Sequence, residues 1–102
     1  MIHVLATIEL VPGARAEFLK EFHLLVPHVL AEAGCIEYGP AVDVTTDIGA
    51  QKLCGADVVT VIEKWESLAA LKSHLIAPHM EAYRPRVKHL VKSTVLHILE
   101  PA

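Results

Sequence analysis

The sequence predicts an α+β fold in which strands and helices follow the order β-α-β-β-α-β. Two observations support this prediction. Apolar residues alternate with a period of two in the strand segments, whereas they recur every three or four residues in the helical segments. Turn residues, chiefly the Pro12-Gly13 pair, Gly34 and Gly55, separate these segments. The order is that of the ferredoxin-like split βαβ pattern, which places two helices on one face of an antiparallel sheet.

Residues 2–10 and 14–33 form the predicted first strand and first helix. The strand segment alternates along its whole length, and the Pro-Gly pair ends it. The helical segment has large apolar residues at helical spacing, and Gly34 provides its C-terminal stop. Pro27 lies inside this segment and removes one backbone donor, so we predict a kink there and not an end of the helix.

A long connection separates the two central strands. Residues 36–45 and 58–66 are predicted strands, joined by a hairpin connection over residues 46–57 that is longer than a tight turn. Ser67 can cap the second helix, which is predicted to extend to about residue 77.

Pro78 begins a further turn or short helix that is predicted to extend to about residue 91. Residues 93–99 form the predicted last strand. Both faces of the strands are largely apolar, so the sheet face without helices remains apolar as well. Pairing two such sheets face to face would bury it, and we therefore expect a homodimer.

The composition restricts the class of protein. The 102 residues are enough for one domain, predicted over residues 1–102. The chain is 53% hydrophobic but only 5% aromatic, so the apolar excess is aliphatic, which also favours burial against a second copy. A net charge of −3 without a large basic cluster argues against nucleic acid as a partner. We see no membrane span or signal peptide and expect a cytoplasmic protein.

The segment from residue 62 to residue 83 contains most of the candidate catalytic residues. Glu63 and Trp65 share a strand face, and His74 and His79 flank a corner broken by Pro78. Such a pattern is typical of a mostly apolar pocket with few polar groups. An imidazole suits a base that works near neutral pH, so His79 is the predicted base, with His74 and Glu63 orienting or tuning it. The alternative for His79 is a structural helix cap.

Four further residues are candidates for substrate binding. Trp65 would form a flat wall against which an aromatic ring stacks, although Trp on a strand is often core. Tyr38 and Tyr83 would each offer a hydroxyl group, with an interface or rim position as the alternative. Thr7 would reach the pocket floor, although a strand Thr is more often structural.

The sequence predicts no metal or cofactor. A metal bound by His74 and His79 would need a third ligand, and no H-E-x-x-H spacing supplies one. Cys35 and Cys54 lack C-x-x-C spacing and are expected to be reduced thiols. No Gly-rich cofactor fingerprint is present either, so we expect no metal, flavin or haem.

Several motifs resemble those of the antibiotic biosynthesis monooxygenase (ABM) family over nearly the whole chain. They are P-G after the first strand, E-A-G-C-I-E-Y from residue 32, E-K-W-E-S from residue 63 and H-L-I-A-P-H-M from residue 74. Within that family the chain is similar to the quinol monooxygenases, through its G-P-A-V-D and I-E-K-W-E-S-L segments and its long hairpin loop.

This resemblance implies a dimeric α+β barrel with a pocket between sheet and helices in each subunit. It implies that dioxygen oxidises a quinol or similar aromatic compound without metal, flavin or haem, while the protein transfers protons and restricts water. Similar domains also degrade haem or isomerise sugars. The alternatives are an isomerase of a small phosphorylated carbonyl compound and a non-catalytic ligand-binding dimer. Haem degradation is disfavoured, unless His79 or His89 substitutes, because Arg84 stands where such relatives carry an axial His.

Overall fold

The computed structural model describes residues 1–102 and contains one four-stranded antiparallel sheet with three α-helices. The strands lie in the order β2-β3-β1-β4. They are β1 (Ile2–Leu10), β2 (Cys35–Ala41), β3 (Val58–Trp65) and β4 (Val91–Leu99). The helices are α1 (Arg15–Leu30), α2 (Leu68–Leu75) and α3 (Pro78–Val87), and the 3-10 turn Lys88–Leu90 joins α3 to β4. This confirms the predicted ferredoxin-like fold, with a full third helix after Pro78. The sheet of one chain is open.

The helix boundaries agree with the local sequence signals. The Ser67 side chain accepts a hydrogen bond from the backbone N–H of Ala70 at 3.1 Å, which confirms it as the cap of α2. Pro78 is at the start of α3, where its missing N–H costs nothing. Pro27 lies inside α1 without ending it. The first helix ends three residues earlier than predicted, at Leu30, and a turn then leads to Gly34.

Strand β2 is shorter than predicted, because it ends at Ala41 and residues 42–57 form an irregular loop. In this loop, backbone groups form hydrogen bonds with side chains and not with a neighbouring strand. Asp43 Oδ2 accepts from the Gly55 N–H at 2.8 Å, and Gln51 Nε2 donates to the Val44 carbonyl at 2.7 Å. Such local bonds compete with strand pairing and were not visible as a pattern in the sequence.

The hydrophobic core lies between the helices and one face of the sheet. Alternate residues of β1 and β3 point inward, among them Val4, Ile8, Val59 and Val61. The two phenylalanines of α1 stack on each other above them, with ring centroids 5.7 Å apart. Two buried side chains in this region are polar or charged, namely Glu63 and His74. Since a buried polar group is costly without a partner, these two residues mark the part of the core to search for function.

The opposite sheet face, here called the bare face, has no helix over it. Leu5, Ile62, Val95 and Leu99 point to this side and are each at least 38% exposed. Strand β4 also exposes Leu96 and Ile98, which point to the helical side, because no helix extends over this edge. Both surfaces of β4 are therefore open. Separately, none of the helices has the length and apolar character needed to cross a membrane.

Candidate functional site

A cavity of about 820 Å³ opens between the inward sheet face and the helices. Its volume lies within the range of roughly 300–1,000 Å³ that is usual for small-molecule sites. Most of its lining is apolar, and the polar or charged lining residues are Tyr38, Glu63, His74, Glu81, Tyr83, Arg84, Lys88 and Thr94. Glu81, Arg84 and Lys88 are exposed, so the inner part of the cavity contains only a few polar groups.

Glu63 is the buried carboxyl group of this cavity. It lies on β3 opposite Val4 of β1 and Tyr38 of β2, and only 5% of it is exposed. Burial raises the pKa of Glu63 to about 7, the nearby Glu32 carboxylate adds to the rise, and a hydrogen bond from Trp65 opposes it. A carboxyl group with this pKa exchanges a proton readily at neutral pH, which suits a general base.

His74 also lines the cavity, from the last turn of α2. Its Nδ1 atom lies 2.8 Å from Oε2 of Glu32, and its Nε2 atom has no hydrogen-bond partner within the protein. Burial lowers the pKa of His74, while the hydrogen bond with Glu32 opposes that shift. His74 is therefore a weaker base than an ordinary histidine, whereas Glu63 is a stronger base than an ordinary glutamate.

Glu32 joins two histidines through one oxygen atom. Its Oε2 lies 2.8 Å from His74 Nδ1 and 2.6 Å from His79 Nε2, and we call these residues the Glu32–His74–His79 cluster. The three atoms lie within 4.8 Å of one another. The His79 side chain is 25% exposed and that of His74 only 2%, so the cluster extends from the cavity to the surface. One carboxylate and two imidazoles form a donor set that can hold a metal ion.

Two sharp turns hold this cluster together. Gly34 has a φ of +84°, and a Cβ atom there would lie 2.6 Å from Cβ of Ala70, so only glycine lets the turn after α1 approach α2 this closely. The Gly34 carbonyl accepts a hydrogen bond from the Glu66 N–H at 2.8 Å. On the other side, the Ala77 N–H donates to the His74 carbonyl at 3.1 Å and Pro78 starts α3. Glu32 is thereby fixed beside the corner that carries both histidines.

The two tyrosines line the same cavity as Glu63 and His74. Tyr38 stacks on Phe22 with ring centroids 5.5 Å apart, and burial raises the pKa of Tyr38 and of Tyr83. Every fully buried side-chain polar atom of the protein has a hydrogen-bond partner. The hydroxyl groups of Tyr38 and Tyr83 have no such partner within the protein, so they are not fully buried. The hydroxyl groups therefore remain accessible, and they are protonated donors at neutral pH.

Three sequence predictions need correction. Trp65 is completely buried and does not line the cavity, because its indole is packed behind His74 and donates to Glu63. His79 does not line the cavity either, because it turns toward Glu32. Thr7 lines a separate groove, since strand alternation directs its neighbours Ala6 and Ile8 into the cavity and Thr7 to the opposite face. His74, Glu63, Tyr38 and Tyr83 do come together as lining residues.

Sequence reasoning missed Glu32. The residue lies 42 positions before His74, so no local spacing connects the two. The only signal was its place in the E-A-G-C motif, two residues before the helix-ending glycine. Glycines often mark places where two parts of the backbone approach closely, so a polar residue near Gly34 was the available hint of a site.

Comparison with known proteins identifies the family of the chain. The sequence profile of the antibiotic biosynthesis monooxygenase (ABM) family matches residues 1–86. The chain belongs to the ABM family. The matched part of this ABM chain contains all four lining residues that the sequence predicted, as well as Glu32 and His79.

Individual relatives of this ABM chain span nearly its whole length. It is 41% identical to "Probable quinol monooxygenase YgiN" of Escherichia coli K12, which covers 99% of this chain and 98% of the relative. It is 31% identical to YcnE of Bacillus subtilis, over 91% of this chain and 88% of that protein. Among solved structures, PA3566 from Pseudomonas aeruginosa is similar with a TM-score of 0.80 and 25% identity, and covers 99% of this chain and 93% of its own.

Proposed function

We propose that this chain is a monooxygenase that uses dioxygen to oxidise a quinol or similar aromatic compound without a redox cofactor. One observation carries the proposal: a buried carboxyl group, Glu63, with a pKa of about 7 lies in a cavity that is otherwise mainly apolar. Membership of the ABM family and the quinol monooxygenase name of the YgiN relative support the reaction class.

Proton removal is the step that the protein would perform. The Glu63 carboxylate takes a phenolic proton from the bound hydroquinone, and the resulting anion gives an electron to dioxygen more readily than the neutral phenol does. The hydroxyl groups of Tyr38 and Tyr83 donate hydrogen bonds to the substrate oxygens. The apolar lining limits the access of water to the radical pair.

The substrate itself supplies all electrons for the reaction. Oxidation of the quinol to the quinone provides two, and conversion of a ring C–H bond to C–OH provides two more. One oxygen atom of dioxygen enters the ring and the other leaves as water, so the products are a hydroxyquinone and water. No external reductant is needed.

Glu63 suits the role of base better than either histidine. His79 lies outside the cavity lining, and the pKa of His74 is lowered by burial. Since a stronger base gives a more favourable proton transfer from a phenol, the raised pKa of Glu63 decides between them. In this arrangement His74 Nε2 forms a hydrogen bond with a substrate oxygen.

The other reactions considered have less support. The inner part of the cavity is mainly apolar, and its two cationic lining residues, Arg84 and Lys88, are exposed. A small phosphorylated carbonyl compound would require several cationic or backbone N–H donors around its phosphate. For haem degradation, neither histidine that could substitute as the axial ligand lines the cavity. His79 contacts Glu32, and His89 lies beside Glu17 with 64% of its side chain exposed.

We also propose that the enzyme is a homodimer formed through the bare face. Leu5, Ile62, Val95 and Leu99 form an apolar surface that a second sheet of the same kind would cover. Pairing of two open sheets would build the barrel that the family resemblance implies.

Oxygen uptake by the metal-free protein with simple hydroquinones tests the proposed reaction. Glu63→Gln should lower the rate above autoxidation by at least about a hundredfold, because a general base contributes about that much or more. Glu37→Gln is the matched control, since Glu37 is an exposed carboxylate of the adjacent strand that pairs with Lys64 at 3.0 Å. Wild-type activity in Glu63→Gln, or no uptake above autoxidation, would contradict the proposal.

A further inference from the structure

The Glu32–His74–His79 cluster contains two residues that the proposed reaction does not use. Glu32 and His79 both lie outside the cavity lining. Even so, Glu32 Oε2 contacts both His74 Nδ1 and His79 Nε2, so three atoms that can bind a metal ion come together. A surface hydrogen bond would require only one histidine. The convergence of a carboxylate oxygen and two imidazole nitrogens suggests a second purpose for this corner.

We propose that the cluster binds one divalent cation of the zinc type, through Glu32 Oε2, His74 Nδ1 and His79 Nε2. Two histidines and one glutamate are an established donor combination for zinc, and they leave a fourth position to water. The sequence predicted no such site because it showed only two of the three donors. The fold supplies the third from the turn after α1.

Side-chain rotation of the three residues would bring their ligand atoms to the spacing that the ion requires. Zinc ligands lie about 2.0–2.2 Å from the metal, so neighbouring ligand atoms in a tetrahedron are roughly 3.3 Å apart. The observed N···O distances of 2.8 and 2.6 Å would lengthen toward this value. The three atoms lie within 4.8 Å of one another, so their widest separation would shorten toward it. The two turns at Gly34 and Pro78 hold the three side chains in place, so little ordering is needed when the ion binds.

Metal binding is compatible with neutral imidazole rings. Each ring carries one proton that can reside on either nitrogen, so the ring proton moves to Nε2 of His74 and to Nδ1 of His79. The ion then replaces two N–H groups as the partner of the Glu32 carboxylate. His74 Nε2–H becomes a hydrogen-bond donor on the cavity side of the ring.

The proposed site is accessible from solvent and has charged groups of both signs nearby. His79 and Glu32 are partly exposed, at 25% and 13% of their side chains, whereas His74 forms the buried end of the site. Arg84 is a permanently positive group near His74, and its guanidinium donates a hydrogen bond to the Leu75 carbonyl. Glu32 faces the ion directly, and the carboxyl group of Glu63 lies close enough to interact with that of Glu32.

The proposal does not depend on the oxygenation reaction. Zinc has no redox chemistry, so occupancy of this site is compatible with a reaction in which the substrate supplies the electrons. Binding is measured directly and needs no substrate. A failure of the quinol assay would therefore leave this inference unaffected, and the reverse also holds.

Calorimetric titration of the EDTA-treated, desalted protein with Zn²⁺ tests the site. We expect one ion per chain with micromolar or tighter affinity, and Co²⁺ should give the visible absorption of a tetrahedral site. Glu32→Gln and His79→Asn should each weaken binding by at least about tenfold. His89→Asn is the control, because His89 lies beside a single carboxylate, that of Glu17, at 3.8 Å and should leave the affinity unchanged.

Fluorescence of the single tryptophan locates the bound ion. The Trp65 and His74 ring centroids are 4.7 Å apart, so Co²⁺ at the cluster should quench Trp65 and saturate at one equivalent. Circular dichroism of the metal-free variants checks that they are folded, and the partly exposed His79→Asn serves if Glu32→Gln does not fold. Absence of saturable binding, or equal affinity in the wild type and a folded variant, would overturn the proposal.

Discussion

The indole N–H of Trp65 donates a hydrogen bond to Oε1 of Glu63 at 3.0 Å, within the buried part of the sheet. Trp65 thus acts on the cavity through the carboxyl group that it holds, although it does not line the cavity itself. Burial raises the pKa of Glu63, and this hydrogen bond partly opposes the rise because it favours the ionised carboxylate. The residue that the sequence suggested as a wall for the substrate instead tunes the candidate base.

The pH profile of oxygen uptake should reflect this bond. In the wild type, kcat/KM should rise with pH and level off above the Glu63 pKa of about 7, since the ionised carboxylate is the active form. Trp65→Phe removes the hydrogen bond and should move the inflection to higher pH. An unchanged inflection in a folded Trp65→Phe protein would show that another group controls the profile.

Glu63 should also make the stability of the protein pH-dependent. The folded state binds the Glu63 proton more tightly than the unfolded state, because its pKa is raised from 4.5 to about 7. The stabilising contribution is complete below pH 4.5 and is lost as the pH rises toward about 7. Glu63→Gln should remove this loss, so above neutrality the variant should be more stable by up to about 3 kcal/mol.

Urea unfolding at both ends of this pH window measures that difference. The other carboxylates titrate in both proteins, so the comparison of wild type with variant isolates Glu63. If the two unfolding free energies differ by the same amount at each pH, the carboxyl group is not protonated as inferred.

Glycine substitutions should separate backbone strain from steric contact. Gly34→Ala should be the most destabilising, by about 1–3 kcal/mol or more, because a positive φ and a Cβ contact of 2.6 Å act together. Gly13→Ala has a similar φ of +79° with no atom near the new Cβ, so only the roughly 1–2 kcal/mol of backbone strain applies. Gly39→Ala has neither feature. Thermal unfolding of the three variants should follow this order.

Charge on the bare face should dissociate the proposed dimer. Val95→Lys places a charged side chain within that apolar surface, and we expect light scattering to report a monomer where the wild type gives a dimer. Leu24→Lys is the control, because Leu24 is 60% exposed on α1, away from the sheet. A wild-type protein of monomer mass would contradict the dimer itself.

The sequence predicted those features that depend on local pattern. Alternation defined β1 and β3 almost to the residue, and Ser67 and Pro78 marked the starts of α2 and α3. The end of β2 was not predictable in this way, because it depends on bonds such as that of Asp43 to Gly55, 12 residues away.

The candidate site was predictable only in part, for a related reason. Strand alternation places Glu63 toward the helices, but it equally places Trp65 there, and only packing against His74 shows which of the two lies behind the lining. The orientation of His79 depends on Glu32, which long-range folding brings to it. A sequence motif can indicate which residues lie near one another. Which of them line the cavity and which lie behind the lining depends on three-dimensional packing.

Strand β4 is both part of the cavity lining and an edge of the sheet. Thr94 and Leu96 form part of the cavity lining, yet β4 is an edge strand that only β1 holds within one chain. The cavity is therefore bounded on this side by an edge strand, whose backbone amides pair with a neighbouring strand on one side only. Transient detachment of β4 would let water reach the reacting ring, so the amide exchange rate of this strand is a direct measure of how well the chain isolates its substrate.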